Sequence, residues 1–312
     1  MASIATRDAY GEVLAALGAE DARVVALDGD LSGSTKTSVF AKKFPDRFFN
    51  IGVAEQNIMG VAAGLARQGL RPFASTFAVF AAGRAFEPIR QQIAYANLPV
   101  KIVASHGGIT VGEDGGSHQT VEDFAVMRVL PNMSVVCPCD AEETIQATRA
   151  IHAHNGPVFM RTGRMGVDEI YDKSYKFVLG KASQLRDGTD VTIIACGLMV
   201  QAALKAADQL ATQGVRARVL NMATIKPLDN EAVIRAARET GCLVTAEEAS
   251  VIGGLGGAVA ECVVENHPVP VVRVGMQDEF GTSGTGSQLL DHFGLNAAGI
   301  VAAVQKARAL KK

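Results

Sequence analysis

Short apolar runs rich in Val and Ile alternate with stretches of helical period along almost the whole chain. That is the pattern of parallel strands buried on both faces and connected by helices. In the first half the expected strands lie at 24–27, 100–104, 135–137 and 158–160, with helices at 7–17, 54–68, 81–96 and 141–154. Around 167–190 the pattern lapses into a charged, turn-rich segment, DEIYDKSYKFVLGKASQLRDGTD. It then resumes with strands at 191–195, 215–220, 243–245 and 269–274 and helices at 199–213, 230–240 and 258–266. Gly, Pro or Asp bounds each strand and the connections are too long for hairpins, so parallel crossover topology is expected. The fold class is therefore α/β, with two doubly wound domains of mainly parallel sheet at 1–166 and 190–312. A linker at 167–189 joins them and has room for one short β element.

Composition narrows the function classes. A hydrophobic share of 48% excludes a disordered chain, and 312 residues suit two domains. With 30 Lys and Arg against 32 Asp and Glu, nothing steers the molecule toward nucleic acid or an anionic membrane. The absence of Trp argues against a base-stacking platform. Five cysteines, mostly inside apolar runs, make a disulfide framework improbable and fit a reducing cytoplasm. Residues 1–10 are polar, so no secretory leader is expected, and no run approaches the roughly 18 apolar residues of a membrane span.

Several familiar signatures fail. In GGLGG at 253–257, Val259 stands where a dinucleotide loop needs its last Gly, so a helix-capping glycine turn is the better reading. Cys137-Pro138-Cys139 lacks the C-x-x-C spacing and has no second pair, so no metal ligand is expected in this chain. Two stretches do carry chemistry. SHGGITVGEDGGSHQ at 105–119 follows a strand directly and holds two histidines, two carboxylates and five glycines, at the strand end where α/β proteins bind ligands. In NIGVAEQNIMGVAAGL at 50–65, Glu55 reads in isolation as a first-turn charge favoured by the helix dipole. Val53, Ile58 and Met59 around it suggest burial, and a buried carboxylate needs a partner or a raised pKa.

Together these stretches resemble the thiamine diphosphate enzymes of the transketolase group, specifically the part of a transketolase chain that follows its diphosphate-binding domain. The residues that carry the resemblance are GVAEQN at 52–57, STFAVF at 75–80, SHGGITVGEDGGSHQTVED at 105–123, RVLPNMSVVCPCDAEE at 128–143 and GPVFMRTGR at 156–164. VTIIACGLMVQAALKAADQL at 191–210 extends it into the second unit, so it covers essentially the whole chain in order. The resemblance implies a pyrimidine-binding domain followed by a transketolase C-terminal-like domain.

It also implies roles. Glu55 matches the carboxylate that hydrogen-bonds the aminopyrimidine ring of thiamine diphosphate and promotes its imino tautomer, which requires a water-poor setting. Phe77 and Phe80 match the pyrimidine-walling aromatics, and Gly83 stands where the family often has a third. Asp30 matches an acidic residue near the thiazolium, and Val53 belongs to the same cofactor-binding set. His118 matches a histidine on substrate oxygens, and Asp114 a reader of a substrate hydroxyl. His106, Arg7, Ser34 and Arg164 match a substrate-phosphate clamp, with Arg161 as the alternative to Arg164. Gly107 replaces an Asp that frequently follows the first histidine.

One family element is absent. The Gly-Asp-Gly triplet that opens the Mg²⁺-diphosphate motif does not occur, and Asp28-Gly29-Asp30 is the nearest approach. The resemblance therefore implies a C-terminal subunit of a split transketolase. A separate N-terminal subunit would supply the diphosphate and Mg²⁺ site in an α2β2 assembly acting on sugar phosphates of the pentose phosphate route. The competing readings are the beta subunit of a 2-oxo-acid dehydrogenase decarboxylase, a 1-deoxyxylulose-5-phosphate synthase fragment and a non-catalytic assembly subunit.

Overall fold

A computed structural model describes residues 3–311. The first half runs through β1 (Ile4–Ala5), β2 (Val24–Asp28), β3 (Phe48–Asn50), β4 (Arg71–Phe77), β5 (Lys101–Ser105), β6 (Ser134–Val136), β7 (Val158–Arg161) and β8 (Gly166–Val167). The second half adds β9 (Ser183–Arg186), β10 (Val191–Ala195), β11 (Ala217–Asn221), β12 (Thr224–Lys226), β13 (Leu243–Ser250) and β14 (Val271–Met276). Two layered α/β units result. A parallel sheet of order β6-β7-β5-β4-β2-β3 forms the first, and the parallel run β14-β13-β10-β11 forms the second, with β9 antiparallel at its edge. Among the described residues no helix is long and apolar enough to cross a membrane.

The expected strands appear within a few residues of their positions. β3 and β4 were not expected, and β4 is the instructive case: RPFASTF contains Pro72, Ser75 and Thr76, so it shows no apolar run. It is nonetheless buried from Pro72 onward, since it lies between β2 and β5, and Ser75 Oγ shares a 2.9 Å hydrogen bond with the buried Tyr10 hydroxyl. Lys101 opens β5 although fully buried, donating from Nζ to the His154 and Gly156 carbonyls at 2.8 and 2.7 Å.

The continuous helix expected over 81–96 is instead broken. Phe80–Arg84 and Ile89–Ala94 are π-helical turns flanking a short α-turn at Phe86–Pro88. Ala85 N–H reaches back five residues to the Phe80 carbonyl at 3.1 Å, which widens the coil where it leaves β4.

The two units are tied together rather than strung on a free linker. β12, from the second half, adds antiparallel to β6 at the edge of the first sheet. One apolar cluster includes Leu27 and Ala104 from the first unit and Ile194 and Leu255 from the second. The charged 167–189 segment is pinned as well. Asp140 accepts from the Ile170 and Tyr171 amides at 2.7 Å each, and the Tyr175 hydroxyl donates to the buried Glu143 at 2.7 Å. Glycines 253–257 form a tight entry to the helix Leu255–Asn266. The Glu247 carboxylate accepts the Leu255 and Gly256 amides there at 2.7 Å each, and a Cβ on Gly254 would lie 2.1 Å from it. All five cysteines are buried and free.

Candidate active site

Nearly every chemistry-bearing residue singled out in the sequence sits beyond the carboxyl end of a strand of the first sheet. Asp30 and Ser34 follow β2, Val53 and Glu55 follow β3, Phe77 and Phe80 end and follow β4, His106, Asp114 and His118 follow β5, and Arg164 follows β7. From β2 the chain passes to β3 on one side and from the neighbouring β4 to β5 on the other, so the boundary between β2 and β4 is the topological switch point of the sheet, where adjacent loops diverge and leave a crevice.

Glu55 is the first residue of the helix Glu55–Arg67 and only 2% exposed. Gly52, at φ 79°, turns the chain from β3 into that helix, and the Asn50 side-chain oxygen accepts its amide at 3.0 Å. Both Glu55 oxygens accept from Arg84 Nη1, at 3.0 Å each. The burial expected of the neighbours holds at Ile58 and Met59. It fails at Val53, which follows the turn at Gly52 and is 74% exposed.

Phe77 and Phe80 lie with ring centroids 6.0 Å apart and planes 12° from parallel. The His106 ring stacks on Phe77 at 3.9 Å, and His118 meets Phe80 edge-on at 5.6 Å. Apart from its two chain neighbours and the backbone of its own helical turn, no atom lies within 4 Å of the Cβ position of Gly83, so the place of the third family aromatic is open space.

His106, in the left-handed region at φ 59°, is buried between two partners. Arg7 Nη1 lies 3.0 Å from its Nε2 and the Ser105 hydroxyl 2.8 Å from its Nδ1. A guanidinium can only donate, so Nε2 is the acceptor and the ring proton resides on Nδ1, pointing at Ser105. Burial, followed by the charges of Arg7 and Arg164, pushes His106 down to about 3, so the ring is neutral at physiological pH. Arg7 Nη1 also donates to the Ser34 carbonyl at 3.2 Å. Arg164 Nη1 donates to the Val111 carbonyl at 2.7 Å and pairs with Asp114 at 3.3 Å, and both of these side chains are over a third exposed. Two guanidiniums and a neutral histidine thus bear on one small volume, the charge pattern of an anion site.

Asp30 is exposed, at φ 65°, and accepts from Asn50 Nδ2 at 2.9 Å. Below it Asp28 is structural: fully buried, it accepts from Leu31 N–H and from the Thr35 and Thr37 hydroxyls at 2.6, 2.6 and 2.8 Å.

Arg161 does not join this group. It is 4% exposed, pairs with Asp123 at 3.2 Å, donates to the Glu248 carbonyl at 2.7 Å and stacks over Phe124. Its path explains Gly107. A Cβ there would lie 2.1 Å from Arg161 Nε, so the missing side chain makes room for this crosslink between the two units. Glu248 in turn accepts the Thr110 amide at 2.6 Å, and Gln119 donates to the Thr282 carbonyl at 2.9 Å. The second unit thereby shapes the glycine-rich loop from below. Arg84, Gln119 and Glu248 were not singled out in the sequence. Nothing local marks Arg84, whereas the glycines around Gln119 are a signal of close backbone approach.

The transketolase pyrimidine-binding-domain family matches residues 2–168, and the transketolase C-terminal-domain family matches residues 180–300. The chain belongs to the transketolase family. A 6-deoxy-6-sulfo-D-fructose transketolase subunit from Clostridium sp. (strain MSTE9) is 48% identical over 300 residues, covering 96% of this chain and 93% of the relative. An apulose-4-phosphate transketolase subunit from Phocaeicola vulgatus is 41% identical, with 95% of each chain covered. Among solved structures, a split-gene transketolase described as an inactive beta4 tetramer is 55% identical. It superposes with a TM-score of 0.93 over 99% of this chain and 100% of that one.

Proposed function

We propose that this chain is the C-terminal subunit of a split, thiamine diphosphate-dependent transketolase, which moves a two-carbon ketol unit from a ketose phosphate to an aldose phosphate. The observation that carries the reading is the buried Glu55 carboxylate at the sheet's switch point, linked through Arg84 to the Phe77–Phe80 pair with both histidines against those rings. The chemistry of this set fits the pyrimidine half of thiamine diphosphate: a water-poor carboxylate, parallel aromatic walls and free volume beyond Gly83. When bound, the cofactor supplies the carbanion chemistry of carbon–carbon cleavage and formation.

Glu55 would hold the pyrimidine by a hydrogen bond to a ring nitrogen, in the water-poor setting that its burial provides. Phe77 and Phe80 orient the ring and exclude solvent, with Val53 and Asp30 at the rim of the same pocket. His118, near those rings yet partly exposed, handles protons on substrate oxygens, and Asp114 reads a substrate hydroxyl. Arg7 and Ser34 hold the substrate phosphate together with Arg164, whose exposed pairing with Asp114 leaves it free to turn toward an anion, and neutral His106, its one N–H turned to Ser105, orients the Arg7 guanidinium through Nε2. Arg161, held between Asp123 and Glu248, takes no part in that clamp.

The chain lacks the Gly-Asp-Gly triplet, so a partner subunit supplies the Mg²⁺-diphosphate site in an α2β2 assembly located in the cytoplasm. Relatives named as subunits, and one described as an inactive tetramer of a single chain type, support this. Sugar phosphates of the pentose phosphate route are the default substrates, with sulfofructose- and apulose-type substrates as the variants the relatives suggest. They also favour transketolase over an oxo-acid decarboxylase subunit. The test is reconstitution: the purified chain, a Gly-Asp-Gly-bearing partner, Mg²⁺ and thiamine diphosphate together transfer ketol units. Full activity from this chain alone refutes the split-site reading.

A further inference from the structure

Arg84 sets a cation against the buried Glu55 carboxylate, and the geometry of its guanidinium is informative. Nη1 lies 3.0 Å from both Glu55 oxygens, and the guanidinium carbon sits 4.9 Å from the centroid of the Phe80 ring. A guanidinium is planar, delocalised and rich in N–H donors, so one group stacks on an aromatic face and donates to a carboxylate at once. An aminopyrimidine ring held by Glu55 and walled by Phe80 needs those same two contacts. We infer that Arg84 is a further residue of the cofactor site: in the unassembled chain it is a stand-in for the aminopyrimidine, and the ring must displace it to bind. The inference rests on the assignment of Glu55 as the pyrimidine-binding carboxylate.

Three observations make displacement physically reasonable. The Arg84 side chain is 52% exposed although its partner is 2% exposed, so one end of the pair already faces water and can return to it. Its backbone is fastened independently, with Gln56 Nε2 donating to the Arg84 carbonyl at 3.2 Å, so the side chain swings without unwinding the π-turn. The adjacent Gly83 has no neighbour within 4 Å of its Cβ position, so the path outward is clear. The pairing also has a use before assembly. An ionised carboxylate buried without a partner is costly, and Arg84 relieves that cost until the ring arrives. Cofactor affinity is then set by a competition, scaled by the fraction of molecules in which Arg84 has let go.

The experiment titrates the isolated ring, 4-amino-5-hydroxymethyl-2-methylpyrimidine, into this chain alone by calorimetry or NMR, and thiamine diphosphate into the assembled enzyme. Arg84→Ala and Arg84→Gln should bind the ring about fivefold more tightly or better, as when the pairing leaves roughly a fifth of the molecules competent. Arg84→Lys, which keeps the cation, should stay near wild type. Unchanged or weaker ring binding in both neutral variants, with the fold intact by circular dichroism, overturns the inference. Glu55→Gln separates the two failures. Ketol transfer retained within a few fold in that variant removes the assignment beneath the inference, whereas activity lost there alongside unchanged ring binding in Arg84→Ala removes the inference alone.

Discussion

The carboxyl ends of the two parallel sheets occupy equivalent places in their folds, yet only the first carries, beside the fixed Asp28, carboxylates held by side chains that reach solvent. In the second unit, Glu247 is held by two backbone amides at the start of a helix, and Glu248 by the Thr110 amide and the Arg161 guanidinium, all of it buried. In the first unit, Glu55 is satisfied by a half-exposed arginine, and Asp114 pairs with Arg164 in the open. Carboxylates bound by fixed amides are already satisfied and serve structure. Those held by mobile side chains can exchange partners for a ligand. Fold and strand-end position alone do not make a site, since what matters is whether the polar groups there have somewhere else to go.

The sharpest way to break this contrast is Glu55→Gln. Ketol transfer by the assembled enzyme should fall by about a thousandfold while assembly persists, in line with the usual contribution of a proton-handling group. Next comes the fixed side of the comparison. Arg161→Met strands Asp123 and Glu248 as buried carboxylates, and urea unfolding should show a loss of about 3–5 kcal/mol. A loss below about 1 kcal/mol would mean the crosslink is dispensable. Arg164→Ala should raise KM roughly tenfold for phosphorylated acceptors, the equivalent of one charge-assisted hydrogen bond, and leave unphosphorylated ones nearly unchanged. Equal effects on both would remove Arg164 from the clamp.

Smaller effects sharpen the picture. Burial raises Glu247 from 4.5 to about 7 against the opposing pull of the Gly256 and Leu255 amides. Between those values the folded state holds a proton that the unfolded chain has released, so this contribution to stability is complete below 4.5 and is lost as pH rises through about 7. Glu247→Gln should flatten the fall of thermal stability across that window, and an unchanged slope would show that the group titrates normally. Gly83→Tyr should be the mildest, within about 0.5 kcal/mol of wild-type stability, because the new ring meets open space.

Much of the architecture was legible in the residues because buried parallel strands must be apolar on both faces, as in VVALD at Val24–Asp28 and VTIIA at Val191–Ala195. β4 shows no apolar run because it carries Ser75 and Thr76 into the sheet interior, and only Ser75 finds a hydrogen-bond partner there, Tyr10, remote in sequence. The candidate site residues stand out as glycine-, histidine- and carboxylate-bearing loops after strands, and parallel pairing carries most of them to the carboxyl end of one sheet. Val53 was misjudged, since an apolar residue beside a turn glycine can face either way.

By itself the sequence determined the family, the α/β class and the set of groups available for chemistry, because these follow from periodicity and from motifs a few residues long. Only the tertiary structure decided which group answers which: Arg161 turned inward over Gly107 and Arg84 laid across Phe80 onto Glu55. Long cationic side chains reach several ångströms in many directions, and packing between segments distant in sequence selects one of them.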